Sequence, residues 1–431
     1  MKRLSACMGK MQSLLLSSNG ETCDTSTTSN TGMADSSVRV ELTATEKADF
    51  RALGLSQARC CVRRKDESLR QCLVWFDPLN EGAANVVFHI RPSHVQHKSL
   101  DFVFVDIGDG GNTAMTVPRE EVTSQVLRVS KGAPKCIRSE DIIHGFENDV
   151  RPLFESRVGD KSSPVSDLAE KHLMPHHGVL LFPGAMLDLI HQVDAIQKVE
   201  GHESRESTRW GILLPNMSLN PGTSITLEIK PKWLLQSPTA PPGAIRCRTC
   251  ALQYSRGKGT PKDFVCPLQL VNGGESDLYT WAVESVLKHA GEGENMSADR
   301  QSTQFRSVVD HLLQYMAKGD GRALLGHIKK LQSQLDPQGV LCRPSTSDRS
   351  KFVHNLRLAM TLRDCSMFIV VPYTSDGGSL PPIVSKLADL DFKSAGKISD
   401  WAEKETDLID GEWYTKDPEK HNVCWLLKQA C

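Results

Sequence analysis

This 431-residue sequence predicts an α+β fold in two lobes: a strand-rich N-lobe and a larger mixed α/β C-lobe. Two observations carry that expectation. Short β-branched and aromatic apolar runs bounded by small or turn residues crowd the first half. Helical periodicities of about 12 residues or more dominate the second, with one late buried strand among them. The division is expected as a tail over 1–45, an N-lobe over 46–215 and a C-lobe over 216–431.

A helix is predicted over Thr43 to Leu55 and strand character from Cys72 to Phe76. Glu81-Gly-Ala-Ala-Asn85 then separates this run from Val86-Val-Phe-His-Ile90, which reads as a hairpin with a tight turn. Phe102 to Asp106, a Gly108-Asp-Gly-Gly111 turn and Val126 to Val129 extend the sheet. Helices are expected over His144 to Phe154 and Ala185 to Val199. Gly211 to Leu214 forms a further strand, interrupted at Pro215-Asn216 before Ser224 to Lys230 resumes, and this interruption marks a hinge. Helical patterns follow at Asp277 to His289, Thr303 to Lys318, Arg322 to Leu335 and Phe352 to Leu362. Cys365 to Val371 is the late buried strand, followed by the apolar segment at Leu387.

Hydrophobic content of 39% and charge of 24% are ordinary for a soluble globular protein. No apolar run reaches the ~20 residues of a membrane helix, so no membrane association is expected. Thirteen cysteines, an odd number with no signal peptide, suit a reducing compartment better than a disulfide framework. Lys2, Arg3 and Lys10 precede a Ser/Thr-rich stretch; a disordered tail is expected there, with an organelle presequence as the alternative.

The charge is unevenly spread. Lysine and arginine total 51 against 52 acidic residues, yet Glu228-Ile-Lys-Pro-Lys232 is followed by 30 residues with five basic side chains and no acidic one. Such a local field calls for an anionic partner or a compensating acidic surface. Extended backbone at Ile229 and Pro231 would put Glu228, Lys230 and Lys232 on one face, a carboxylate beside two ammonium groups. That arrangement suits phosphate oxygens.

Other residues fit the same chemistry. The Gly82 turn allows backbone N–H groups to approach a phosphate, and Arg128 is a cation in the middle of an apolar strand. Asp364 lies between a helix and a buried strand, where a carboxylate can accept a hydroxyl proton. Asp389 precedes Lys393 and Lys397 at +4 and +8; a helix after Phe392 would align both lysines behind a magnesium-type carboxylate. Cys247 and Cys250 form a CxxC with Cys266 16 residues further on, but the fourth zinc ligand is missing locally and His289 is distant. A reduced, buried cluster is the expectation there, ahead of a metal site. His176 and His177 are adjacent and make a poor chelate.

Glu228-Ile-Lys-Pro-Lys232, Cys247-Arg-Thr-Cys250 with Cys266-Pro-Leu-Gln-Leu270, Arg363-Asp-Cys365 and Asp389-Leu-Asp-Phe-Lys393 together resemble the inositol-pentakisphosphate 2-kinase family of the fungal type. The resemblance runs from about Leu73 to Leu408, with gaps. It implies a two-lobed, kinase-like fold and transfer of the ATP γ-phosphate, with Mg2+, to the lone free hydroxyl of inositol 1,3,4,5,6-pentakisphosphate. By the same resemblance Gly82 and Asn85 lie in the nucleotide loop, Arg128 holds ATP phosphates and Glu228 contacts the nucleoside. Lys230 sits by the transferring phosphate, Asp364 is the base and Asp389 a magnesium ligand. Lys232, Arg256, Arg306, Lys393 and Lys397 bind the inositol phosphates. Leu252 stands where many relatives carry a histidine, and either Arg205 or Arg209 would supply a further arginine. A monomer with no direct nucleic-acid partner is expected, and the resemblance implies residence in nucleus or cytoplasm. A catalytically silent inositol-phosphate-binding scaffold is the alternative.

Overall fold

The computed structural model describes residues 58–63, 74–82, 84–92, 102–107, 114–131, 137–155, 168–181, 210–218, 223–257, 263–290, 298–374, 380–416 and 424–430. All of them fall within one compact unit, Ser37–Cys431. The expected tail over 1–45, the helices at Thr43 and Ala185, the Gly108 turn, and Arg205 and Arg209 lie outside the described residues.

The first half forms strands β1 (Ala58–Arg63), β2 (Val74–Glu81), β3 (Asn85–Pro92), β4 (Phe102–Ile107), β5 (Ala114–Thr116), β6 (Gln125–Ser130), β7 (His177–Leu181) and β8 (Trp210–Pro215). Helices α1 (Arg119–Thr123), α2 (Ser139–Gly145) and α3 (Leu168–His172) are interspersed. The strands make an eight-stranded sheet in the order β1-β7-β8-β6-β3-β2-β4-β5. Backbone pairing of β1 with both β4 and β7 closes it on itself. The expected hairpin is present: β2 and β3 pair antiparallel, and the Gly82 N–H donates to the Asn85 carbonyl at 2.9 Å. Alternation on β3 buries Val86, Phe88 and Ile90 with Val74 and Phe76. Phe76 meets Phe88 and Phe104 edge-on, with centroids 6.2 and 6.0 Å away.

From residue 224 the chain becomes mainly helical. Strands β9 (Ser224–Ile229), β10 (Ser366–Pro372) and β11 (Val384–Ala388) form a three-stranded antiparallel sheet in the order β11-β10-β9. Around it stand α4 (Arg248–Ser255), α5 (Pro267–Asn272), α6 (Glu275–Ala290), α7 (Thr303–Ala317), α8 (Asp320–Leu335), α9 (Arg349–Asp364), α10 (Ile398–Asp410) and α11 (Trp425–Ala430). Helix α7 shows why these segments coil. Ser302 caps it by accepting the Phe305 N–H at 3.2 Å, and Phe305, Val308, Val309, Leu312, Leu313 and Met316 form its buried stripe.

The two cores interleave along the sequence. Helix α2 continues through a π-type turn, Phe146–Val150, and a 3-10 turn, Arg151–Leu153. Phe146, Val150, Phe154 and Leu173 belong to the second core, with Leu227, Leu312 and Ile369. Gly145 lies against Phe392, where an added Cβ would come within 2.7 Å of the Phe392 Cβ. The segment after α3 also runs along the open edge of β11. Leu173 bridges Leu387, the Met174 N–H donates to the Leu387 carbonyl at 3.2 Å, and Lys386 Nζ donates to the Glu170 carbonyl at 2.9 Å.

A basic cleft at the end of the second sheet

The antiparallel order brings three chain ends to one place. β9 runs out into Lys230-Pro-Lys232, β10 begins just after Asp364 and Cys365, and β11 runs out into Asp389. The register opposes Met367 to Ile229 and Ser366 to Ala388, so motifs more than a hundred residues apart share one end of the sheet.

Ser366 lies at the centre, and nothing in the sequence singles it out. Its Oγ accepts from Lys230 Nζ at 2.6 Å, and its one proton can go to Glu228 Oε1 at 2.8 Å or Asp389 Oδ2 at 3.0 Å. Lys230 Nζ also lies 3.4 Å from Glu228 and 3.3 Å from Asp389. Burial works against the Lys230 charge, but Asp389 and then Glu228 outweigh it and raise the ammonium above its ordinary value.

Glu228 and Lys230 converge as alternation implies, but Lys232 does not continue the face. Its φ of +56° turns it out of the strand, and Asp389 has a φ of +55°. Left-handed backbone at such residues costs on the order of 1–3 kcal/mol and needs support from its surroundings. Gln332 of α8 provides it at Lys232: its Nε2 donates to the Lys232 carbonyl at 2.9 Å and its Oε1 accepts the Leu234 N–H at 3.0 Å.

The turn delivers Lys232 Nζ to Asp364 Oδ1 at 3.0 Å, while Lys393 Nζ reaches Asp364 Oδ2 at 2.8 Å. Burial pushes the Asp364 carboxyl up; Lys393 and then Lys232 overcome this and hold it at about 2. Lys393 arrives by a turn. The expected lysine ladder is absent, because the chain coils only from a 3-10 turn at Ala395–Lys397, and Lys393 lies before it.

Glu228, Lys230, Lys232, Asp364 and Lys393 line a cleft of about 660 Å³. Lys230, Lys232, Arg256, Lys393, Lys397 and Lys404 line it with the buried Arg248 and Arg363, beside the carboxylates Asp263, Asp391 and Asp400, and Asn85 and Leu252 also line it. Gly82 is exposed in the neighbouring hairpin turn. Arg128 is placed differently. Buried at 6% exposure, it grips Asp391 through two bonds of 2.8 and 2.5 Å and joins β6 to the segment after β11. Its partner is a carboxylate, and a planar fork fits that as well as it fits phosphate. His176 lies beside this pair, stacked on Phe146 at 3.9 Å and kept neutral by burial, which lowers it to about 4. Arg306 lies apart, bonded to Gln301 and lining a separate concavity with Thr303, Asp310 and His311.

A buried charge network backs the cleft. Two guanidinium groups lie over the Trp233 ring, with Arg363 3.5 Å and Arg248 4.5 Å from its centroid. Arg363 pairs with Asp336 at 2.6 Å and Arg248 with Glu405 at 2.8 Å. Glu405, with no exposed surface, accepts three further hydrogen bonds at 2.7–2.8 Å, from Ser237, Thr239 and Tyr414. The cysteine cluster lies behind α4. Cys247, Cys250 and Cys266 are buried as expected, and Cys424, just before α11, joins them.

The fold and cleft define an α+β protein with a lysine- and arginine-rich cleft beside carboxylates grouped at one end of a small sheet. The inositol-pentakisphosphate 2-kinase family model matches residues 79–407, and the chain belongs to that family. An inositol-pentakisphosphate 2-kinase of Yarrowia lipolytica (strain CLIB 122 / E 150) is 37% identical over 195 residues, 45% of this chain and 55% of that relative. The match thus spans about half the length of that relative.

Proposed function

We propose that this chain transfers the γ-phosphoryl group of ATP to the 2-hydroxyl of inositol 1,3,4,5,6-pentakisphosphate, giving inositol hexakisphosphate. The observation that carries the reading is Asp364 held between Lys232 and Lys393, beside the Glu228–Lys230–Asp389 group. A carboxylate held at about 2 is a weak base, so in the free chain Asp364 is restrained. A polyphosphate offers both lysines many more oxygens than one carboxylate does. As they turn to it, Asp364 loses the charges that depress it and becomes basic enough to accept the hydroxyl proton.

Lys230 plays the matching part for ATP, exchanging its two carboxylates for the transferring phosphate, with the Gly82–Asn85 turn on the nucleotide side. Arg256, Lys397 and Lys404 add charge for the inositol phosphates. Lysine suits such exchange, because its mobile point charge can follow the phosphate. A contact from Arg128 to phosphate requires its bridge to Asp391 to open; with the bridge closed, Arg128 positions Asp391 at the cleft. Asp389 and Glu228 are hard oxygen donors, one of them half-exposed at 52%, and fit magnesium, which takes one or two carboxylates plus phosphate oxygens. The bound ion would offset charge on the transferring phosphoryl group. The protein's part is then positioning and charge neutralisation.

The test is incubation of the purified chain with γ-labelled ATP, magnesium and inositol pentakisphosphate, with products resolved by anion exchange. A labelled hexakisphosphate peak is expected. Tight binding of the pentakisphosphate without product would replace this reading with a silent inositol-phosphate scaffold.

A further inference from the structure

We propose that Gln332 and Thr361 are positioning residues for phosphate capture, each fixing one of the two lysines that flank Asp364. Neither residue lines the cleft; their part rests on the proposed function and is played through the lysine backbone. Lys232 and Lys393 both lie outside helix and strand, so no helical or ladder bond holds their main chain. A buried side chain from a helix holds each instead.

Gln332, 1% exposed on α8, donates from Nε2 to the Lys232 carbonyl at 2.9 Å and accepts the Leu234 N–H at 3.0 Å. Thr361, fully buried on α9, accepts the Lys393 N–H at 3.1 Å. Its own proton lies within reach of the Arg357 carbonyl at 2.9 Å and the Asp391 carbonyl at 3.3 Å. Arg357 holds the other side of the same lysine. Its Nε donates to the Lys393 carbonyl at 2.5 Å, and its guanidinium lies 3.8 Å from the Phe392 ring centroid.

A buried amide or hydroxyl needs partners wherever it lies, and that alone assigns no function. Three features go beyond it. Both side chains bond the backbone of a lysine whose ammonium ends on the same carboxylate, at 3.0 and 2.8 Å. The Lys232 backbone is left-handed, with a φ of +56°, a conformation that persists only where its surroundings over-determine it. Thr361 lies one turn before Asp364, so the end of α9 carries both the carboxylate and the grip on one of its lysines. A lysine ammonium is a mobile point charge. With its Cα fixed, that mobility is confined to an exchange between Asp364 and phosphate in the cleft. The two grips come from different helices, so each acts through its own lysine.

The test is a crossed set of double-mutant cycles, read as the Kd for inositol 1,3,4,5,6-pentakisphosphate by titration calorimetry at low salt. Circular dichroism checks that each variant is folded. Gln332→Met and Thr361→Val roughly keep side-chain size and remove the hydrogen bonds. Lys232→Ala and Lys393→Ala should each weaken binding about fivefold, the worth of one pair of unit charges about 4 Å apart in water. Gln332→Met should weaken it about two- to fivefold alone, change little once Lys232 is Ala, and keep its full effect beside Lys393→Ala. Thr361→Val should show the reverse pairing, and Thr361→Ser, which retains the hydroxyl, should bind as the wild type does. If one of the two variants does not fold, the other arm decides. Equal losses in both lysine backgrounds would mark a general effect on the fold and overturn the proposal. Wild-type affinity in folded Gln332→Met and Thr361→Val would overturn it too. A wild-type chain that binds no pentakisphosphate would instead remove the proposed function, and this assignment with it.

Discussion

Asp364→Asn keeps the shape of the side chain and removes its charge, and the geometry assigns two effects of opposite sign. Lys232 and Lys393 are both occupied by this carboxylate, at 3.0 and 2.8 Å. The amide releases them to phosphate and removes a like charge from beside a polyanion. One unit charge about 4 Å from another is worth about 1 kcal/mol at the permittivity of water, roughly fivefold in Kd. The same change removes the proton acceptor, which contributes a factor of about 10²–10⁴ to turnover. Titration calorimetry with inositol pentakisphosphate at low and physiological salt, beside single-turnover measurements, separates the two. Binding should tighten about fivefold at low salt and less as screening rises, while the chemical step slows by at least about a hundredfold. Near-normal turnover would remove Asp364 as the base. Weaker binding would refute the idea that it restrains the lysines.

Lys232→Ala should raise the KM for inositol pentakisphosphate most at low ionic strength; a KM indifferent to salt would count against the basic cleft. Glu405→Gln leaves the Arg248 guanidinium buried without its counter-charge and should cost about 3–5 kcal/mol in urea denaturation. Burial raises the Glu405 carboxyl, but Arg248 and three hydroxyl donors outweigh this and hold it below the usual glutamate range. Its contribution is therefore present above the unfolded glutamate value and lost as pH falls through the depressed folded value. The variant should show a shallower loss of stability in acid, and an unchanged acid limb would refute the assignment. Gly145→Ala forces a Cβ to within 2.7 Å of Phe392 and should destabilise by about 1–3 kcal/mol; a wild-type denaturation midpoint would show that the segment yields freely.

Local patterns were legible in the sequence where neighbouring residues decide the outcome. The Glu81–Asn85 hairpin, the amphipathic stripe of α7 and the apolar run of β10 follow from alternation, capping and burial within a few residues. The charged motifs were legible as chemistry, and the sheet order explains why they meet. What stayed hidden depends on long-range partners. Arg128 reads as a phosphate ligand until Asp391, 263 residues on, fills its fork. Glu405 resembles any helical glutamate until Arg248 and three hydroxyls surround it. Cys424 is too far along the chain for a spacing rule to join it to the CxxC. Ser366 and Gln332 are ordinary residues whose importance comes from the left-handed turns beside them. A signal for those turns exists only in part: Pro231 restricts its own backbone, and nothing near Asp389 does the same.

The strand that runs out into Asp389 lies at the edge of its sheet, paired to β10 on one side and held on the other by residues 170–174. On that side His172 Nδ1 also bonds Ser385 Oγ at 3.0 Å, and an edge strand can open locally without global unfolding. A sub-global opening of residues 170–174 would therefore free the strand that carries Asp389 to the carboxylate cluster. Amide exchange at Met174 should report it directly, with exchange along β11 accelerating whenever that protection is lost.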